Sequence, residues 1–159
     1  MYSKYLELRK IRKIFEYQFG LSSGKAFFPD QVELTHSKKT KRIRHIYLNN
    51  RLLATLRPKD GYFSLTIEGA KRFSKIFRSL NHRVIVEEGV EKFISEGRNL
   101  FAKNVVSSDI KIKPKDDAII SDLYGRILAV GRSALSGPEI LAFKRGIAVK
   151  VRKGSKKTH

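Results

Sequence analysis

Apolar residues recur at steps of three and four near the start of the chain, at Tyr5, Leu8, Ile11, Phe15 and Phe19. That period predicts an amphipathic helix with Arg9, Lys10, Arg12 and Lys13 mostly on the opposite face, ended by Gly20. Leu21 to Gly24 read as a loop leading to Phe27 and Phe28, and strand-like Val32 and Leu34 follow Pro29. Two alternating segments, Arg42 to Leu48 and Arg51 to Arg57, flank Asn49-Asn50, a pair that tolerates φ > 0 and so predicts a tight hairpin. After the turn signal Pro58-Lys59-Asp60-Gly61, residues Leu65, Gly69, Phe73, Ile76 and Phe77 mark a helix opened by Thr66, with Glu68 in its first turn. This half reads α-β-β-β-α.

Beyond Ser79-Leu80-Asn81-His82 the period changes. A strand at Arg83 to Val86 leads to a short helix from Gly89 to Ser95, with Val90, Phe93 and Ile94 facing inward and Gly97 breaking it. Phe101 to Val106, Ala118 to Ser121, Ile127 to Gly131 and Ile147 to Val151 read as strands. They are divided by Pro114-Lys115-Asp116-Asp117, by Tyr124-Gly125 and by a helix around Pro138 to Phe143. Many short strands with two brief helices predict a small, partly open barrel. The expected class is α+β: an N-terminal domain over 1–80, a barrel domain over 82–154 and a frayed basic tail over 155–159.

Charge changes the picture most. Lys and Arg number 34 against 15 Asp and Glu, a formal +19, with 18 basic and 6 acidic groups in residues 1–80 and 16 and 9 in the rest. So positive a surface finds its commonest partner in a polyphosphate backbone. The most basic stretch, Ser37 to Arg44, brings Lys38, Lys39, Lys41, Arg42 and Arg44 to a predicted hairpin, where alternation sends Arg42 and Arg44 to one face and Ile43 to the other. That face suits phosphate contact; the same lysines also protect an edge strand from aggregation.

Other chemistry is hard to find. Cysteine is absent, which removes disulfides and thiolate metal sites and fits a reducing cytoplasm. The first twenty residues are charged and lack the roughly 7 to 15 apolar residues of a signal-peptide core, and no window approaches the roughly 20 that cross a bilayer. A cytoplasmic, membrane-free protein is expected. Gly20-Leu21-Ser22-Ser23-Gly24 matches the spacing of a nucleophile elbow, but a helix precedes it where a strand is required. As a phosphate loop it is one residue short between its glycines and has Ala26 where a hydroxyl belongs. His36, His45, His82 and His159 lack ligand spacing, and the adjacent pairs Glu87-Glu88 and Asp116-Asp117 diverge on a strand. No catalytic residue, metal site or cofactor is expected.

The stretches Arg83 to Val86, Glu96 to Lys103, Gly125 to Arg132 and Lys144 to Val151 resemble, in order and spacing, PUA domains, the RNA-binding modules named after pseudouridine synthases and archaeosine transglycosylases. Tyr17 to Gly20, Ser37 to Thr40, Leu56 to Gly61 and Leu65 to Ala70 resemble the domain that precedes the PUA module in archaeal archaeosine tRNA-guanine transglycosylases. The catalytic (β/α)₈ barrel and Cys-rich zinc site of those enzymes have no counterpart here. The resemblance implies a non-catalytic RNA-recognition protein, with tRNA the first expected ligand and a separate catalytic subunit of a tRNA-modifying enzyme a possible partner. A ribosome-associated or translation-related factor is the alternative. It also implies an RNA face at Gly97, Arg98, Asn99, Phe101, Lys103, Lys144, Arg145, Gly146, Lys150 and Arg152. These residues offer cations for phosphates, an amide for base edges or 2′-OH groups, and glycines for close approach. Phe101 is equally a stacking platform or a core residue by alternation, and Gly131, Gly137 and Gly146 read mainly as turn or bulge positions.

Overall fold

Ser3 starts the first helix by accepting a hydrogen bond from Leu6 N–H on its hydroxyl, and Gly20, at φ 68°, ends it in the left-handed conformation. The computed structural model describes residues 3–20, 22, 24–78 and 80–156. It divides into two units, Met1–Phe77 and Arg78–His159, and the mixed α+β class is as expected.

In the first unit, α1 (Lys4–Phe19) buries Leu8, Ile11, Phe15 and Phe19. The stripe begins one turn later than the period suggests, because Tyr5 is 68% exposed; a phenol tolerates water where an aliphatic ring would not. The loop expected after Gly20 is in part a helical turn, α2 (Gly24–Phe27), and Leu21 and Ser23 lie outside the described residues. Phe27 stacks on Phe15, at 4.6 Å between centroids and 9° between planes, and Phe28, Phe63 and Phe73 join them in an aromatic core.

Against that core lies an antiparallel meander, β1 (Glu33–His36), β2 (Ile43–Leu48), β3 (Arg51–Leu56) and β4 (Phe63–Leu65), with neighbours in chain order. Asn49 and Asn50 sit at φ 52° and 63° and make the predicted two-residue turn. The fourth strand departs from the α-β-β-β-α expectation. Its three residues are too few to display alternation, and its free edge is closed by a side chain: the Gln18 amide donates to Phe63 O and accepts from Phe63 N–H, at 2.8 and 2.7 Å. Leu65 therefore belongs to β4, and α3 (Ile67–Ile76) starts after Thr66, whose hydroxyl accepts from Gly69 N–H.

The second unit contains β5 (Arg83–Val86), α4 (Glu91–Ser95), β6 (Leu100–Phe101), β7 (Val105–Ser108), β8 (Asp117–Ser121), β9 (Ile127–Ser133), α5 (Gly137–Ala142) and β10 (Ile147–Gly154). Six strands run in the order β6-β10-β9-β8-β5-β7, antiparallel except for β5 with β8, and curl into a nearly closed barrel around Val84, Leu100, Ile120, Ala129 and Val149. α5 carries a full capping box, in which Ser136 accepts from Glu139 N–H and Glu139 accepts from Ser136 N–H.

Three local expectations change. Phe93, read as inward, is 48% exposed, because α4 is barely one turn long and only Ile94 and Ser95 reach the core. The single strand expected over Phe101 to Val106 is broken by a 3₁₀ turn, Ala102–Asn104, so its two parts pair with different partners, β10 and β5. The tail expected to fray from Gly154 is held: Gly154 ends β10, Ser155 N–H donates to Leu128 O and Lys156 N–H to Ser95 O. Residues 157–159 lie outside the described residues.

Candidate nucleic-acid interface

Strand β6 is only two residues long, and its edge of the barrel is completed by other means. Ile147 pairs with Phe101 and Val149 with Leu100, while Ala102 N–H donates to Gly146 O at 2.9 Å. Where β6 runs out, the Asn99 side chain continues it by accepting Val151 N–H at 2.9 Å. Asn99 thus gives one acceptor contact to the fold, while its amide N–H groups have no partner among the described residues.

This pairing sets Phe101 and Ala102 against Ile147 and Gly146, so that the chain segments carrying Lys103 and carrying Lys144 and Arg145 meet from two distant stretches. Phe101 is 47% exposed, which decides between core and platform in favour of an accessible ring. Gly146 lies at φ 88° and Gly97 at φ 104°, with no atom within 4 Å of where a side chain would start. Both glycines are therefore needed for backbone conformation, and both leave open space outside. Gly131 is different: a side chain there would run into the Lys150 carbonyl of β10.

Arg98 follows Gly97 and places its guanidinium over the Phe93 ring, 5.5 Å from the centroid. Exposure of Phe93 was the missed feature; its only sequence signal is the five-residue spacing to Arg98 across a glycine. On β10, register shifts on both sides of Val149 to Val151 break the alternation, and Lys150 stands exposed opposite Arg132. Arg152, expected on the RNA face, also serves the fold. Its guanidinium donates to both oxygens of Asp117, at 2.8 and 3.4 Å, and Asp117 is 1% exposed, so a buried carboxylate claims the arginine for the barrel. Sequence spacing gives no sign of this pair, which spans 35 positions.

In the first unit, the β1–β2 loop is tied by Ser37 N–H to Arg42 O and by Lys41 N–H to Ser37 O, with the Ser37 and Thr40 hydroxyls accepting from Thr40 and Arg42 N–H. A register shift lets β2 carry one more residue than β1 around Arg44. Instead of alternating cleanly, Arg42, Ile43 and Arg44 all line one cavity of about 270 Å³, together with Lys10 of α1 and Arg57, which follows β3. Lys38, Lys39 and Lys41 are exposed on the loop and are not among its lining. Lys10 and Arg57 escape sequence reasoning because they reach this place from other elements.

Among the described residues no group of three His, Asp or Glu side chains could hold a metal ion, and no helix is long and apolar enough to cross a membrane.

Comparison with known proteins matches residues 9–79 to the patch-forming domain C2 of tRNA-guanine transglycosylase and residues 82–154 to the PUA domain. The chain is 40% identical over 151 residues to the tRNA-guanine(15) transglycosylase of Methanobrevibacter smithii, covering 95% of this chain and 23% of that one. It is 42% identical over 152 residues to the Thermococcus kodakarensis enzyme, with 95% and 26% covered. It spans about a quarter of the length of these relatives. A hypothetical protein of Pyrococcus horikoshii shares the fold at a TM-score of 0.78 and 24% identity, over 98% of this chain and 93% of that one. A conserved PUA-domain protein of Thermoplasma acidophilum does so at 0.69 and 21%, over 98% and 93%. By sequence, this chain pairs a C2-type domain with a PUA domain and is a relative of the C-terminal region of archaeal tRNA-guanine transglycosylases.

Proposed function

We propose that this protein binds structured RNA, with tRNA its first ligand, as a recognition module that performs no chemistry itself and serves a separate catalytic subunit of a tRNA-modifying enzyme. The observation that carries the reading is the exposed Phe101 ring on a strand paired with Ile147, next in the chain to the open Gly146, with Lys103, Lys144 and Arg145 close by in the chain. An unpaired base stacks on such a ring while its flanking phosphates meet the cations. Gly97 and Arg98 extend this face around the end of α4. Lys38 and Lys39 add phosphate contacts that carry no sequence information.

The test is charge reversal. Arg98→Glu with Lys103→Glu should weaken tRNA binding and erase its preference over a 3′-truncated tRNA, as read by anisotropy at fixed salt. Lys38→Glu with Lys39→Glu should weaken both ligands alike. Loss of discrimination from the second pair and not from the first would refute the assignment of the reading face.

A further inference from the structure

In a four-stranded meander the β1–β2 and β3–β4 turns fall at the same end of the sheet, and here they close one side of the 270 Å³ cavity, with Lys10 and Ile14 of α1 on the other. Two kinds of group line it. Ile14, Leu56 and Pro58 form an apolar wall, and Lys10, Arg42, Arg44 and Arg57 supply cations with no carboxylate among the lining residues. Asp60 neutralises Arg57, through contacts of 3.1 Å. Lys10, Arg42 and Arg44 have no ion-pair partner among the described residues. Both turns are braced: Ser37 to Arg42 by the bonds given above, and Arg57 to Tyr62 by Gly61 N–H to Arg57 O and Arg57 N–H to Tyr62 O.

A solvated cationic surface needs no apolar wall, and a hydrophobic pocket needs no cluster of unpaired cations. A ligand that satisfies both has a flat apolar part and an anionic part. The volume lies at the small end of ligand pockets, which run from roughly 300 Å³ upward, so one such unit fits and a folded strand does not. Tyr17, at 78% exposure, lies on the same helical face as Lys10 and Ile14, seven and three residues on, and stacks on Tyr62 next to the lining Gly61. This pair offers a second flat surface beside the opening.

We propose that this cavity takes a single unstacked nucleotide, its base against Ile14, Leu56 and Pro58 and its phosphate held by Lys10, Arg42 and Arg44. The nucleotide comes either from an RNA strand, with the neighbouring base on Tyr17, or from free mononucleotide. The site deepens the RNA-binding reading but does not depend on the face around Phe101.

The full chain is titrated with 5′-AMP, adenosine, inorganic phosphate and the trinucleotide pApApA, and binding is followed by calorimetry and by amide shifts of Arg42 to Arg44. AMP should bind at least about tenfold more tightly than either adenosine or phosphate alone, since each lacks one half of the contact. Arg44→Ala should weaken AMP about tenfold, and Lys71→Ala, a cation on the exposed side of α3, should leave it unchanged. Ile14→Trp should fill the cavity and abolish binding; where that variant melts early, Arg44→Ala decides. Phosphate binding as tightly as AMP, or equal losses from Arg44→Ala and Lys71→Ala, would overturn the proposal. Tighter binding of pApApA, reduced to the AMP level by Tyr17→Ala, identifies an RNA strand as the source, and equal affinity identifies free nucleotide. AMP binding that survives Arg98→Glu with Lys103→Glu separates this site from the other face, so either reading fails without the other.

Discussion

Arg152 lies among the cations expected to meet RNA, and it is also paired with a buried carboxylate. Replacing it with alanine removes contacts of 2.8 and 3.4 Å from Asp117, a carboxylate 1% exposed at the start of β8. Charge-assisted hydrogen bonds of this kind contribute about 1.5–3 kcal/mol, and the loss leaves the buried carboxylate short of a donor. For a unit of this size, about 2 kcal/mol corresponds to roughly 10 °C in melting temperature. Asp117→Asn should cost a similar amount by removing the charge that the guanidinium meets, and the double variant Asp117→Asn with Arg152→Ala should cost less than the two single costs added together. Calorimetric melts of the four proteins give that coupling energy, and anisotropy with tRNA gives the affinities. The Arg152→Ala protein should melt early yet bind RNA, below its melting point, within about threefold of the parent, since a spent cation offers little to phosphate. An unchanged melt with a tenfold loss of affinity would show that Arg152 works for RNA and that the ion pair is incidental.

Several further outcomes are expected. A log-log plot of tRNA affinity against salt should fall with a slope of about −0.7 to −0.9 per phosphate contacted, for on the order of 5 to 8 contacts, and a flat response would exclude phosphate-dominated binding. Phe101→Ala should weaken binding of single-stranded ends by about 1–3 kcal/mol without lowering the melting point, because the ring is half exposed; an early melt with unchanged affinity would return it to the core. Gly131→Ala should destabilise by at least about 1–3 kcal/mol in denaturant titrations, since β9 and β10 must part to admit a methyl group. Burial pushes the Asp122 carboxyl up, but N–H bonds from Arg126 and Tyr124 and the Arg126 guanidinium at 2.6 Å outweigh it and hold the group below the usual carboxylate range. Its stabilising contribution is then complete above the unfolded value near about 4 and lost as pH falls through the lower folded value. Melts from pH 5 to pH 2 should therefore steepen below about pH 4, and Asp122→Asn should flatten that dependence.

Long periodic segments were legible in the sequence because burial repeats along them. α1, the Asn49-Asn50 hairpin and α3 each announce their period, and their limits agree with the structure to within about three residues. What escaped was short or non-local. β4 has three residues and is fixed by Gln18, 45 positions away; β6 has two and is extended by the Asn99 side chain. Phe93 looked buried because a longer helix would have buried it. At the candidate site, composition identified the cations but not their employment. Arg152 is held by Asp117, while Lys10 of α1 and Arg57 beyond β3 meet Arg42 and Arg44 only in the folded unit.

The position of β10 constrains the order in which the molecule can be made. In the first unit, strand order follows chain order, so each strand leaving the ribosome finds its neighbour already present. In the second, β10 is the last strand in sequence but lies between β6 and β9, and β6 has no other strand neighbour among the described residues. Until residues 147–154 emerge, β6 is an orphan, and Phe101 has no Gly146 beside it. Such non-local closure is slow compared with a meander. A nascent chain therefore can complete the first unit's meander before β6 of the second unit finds its partner.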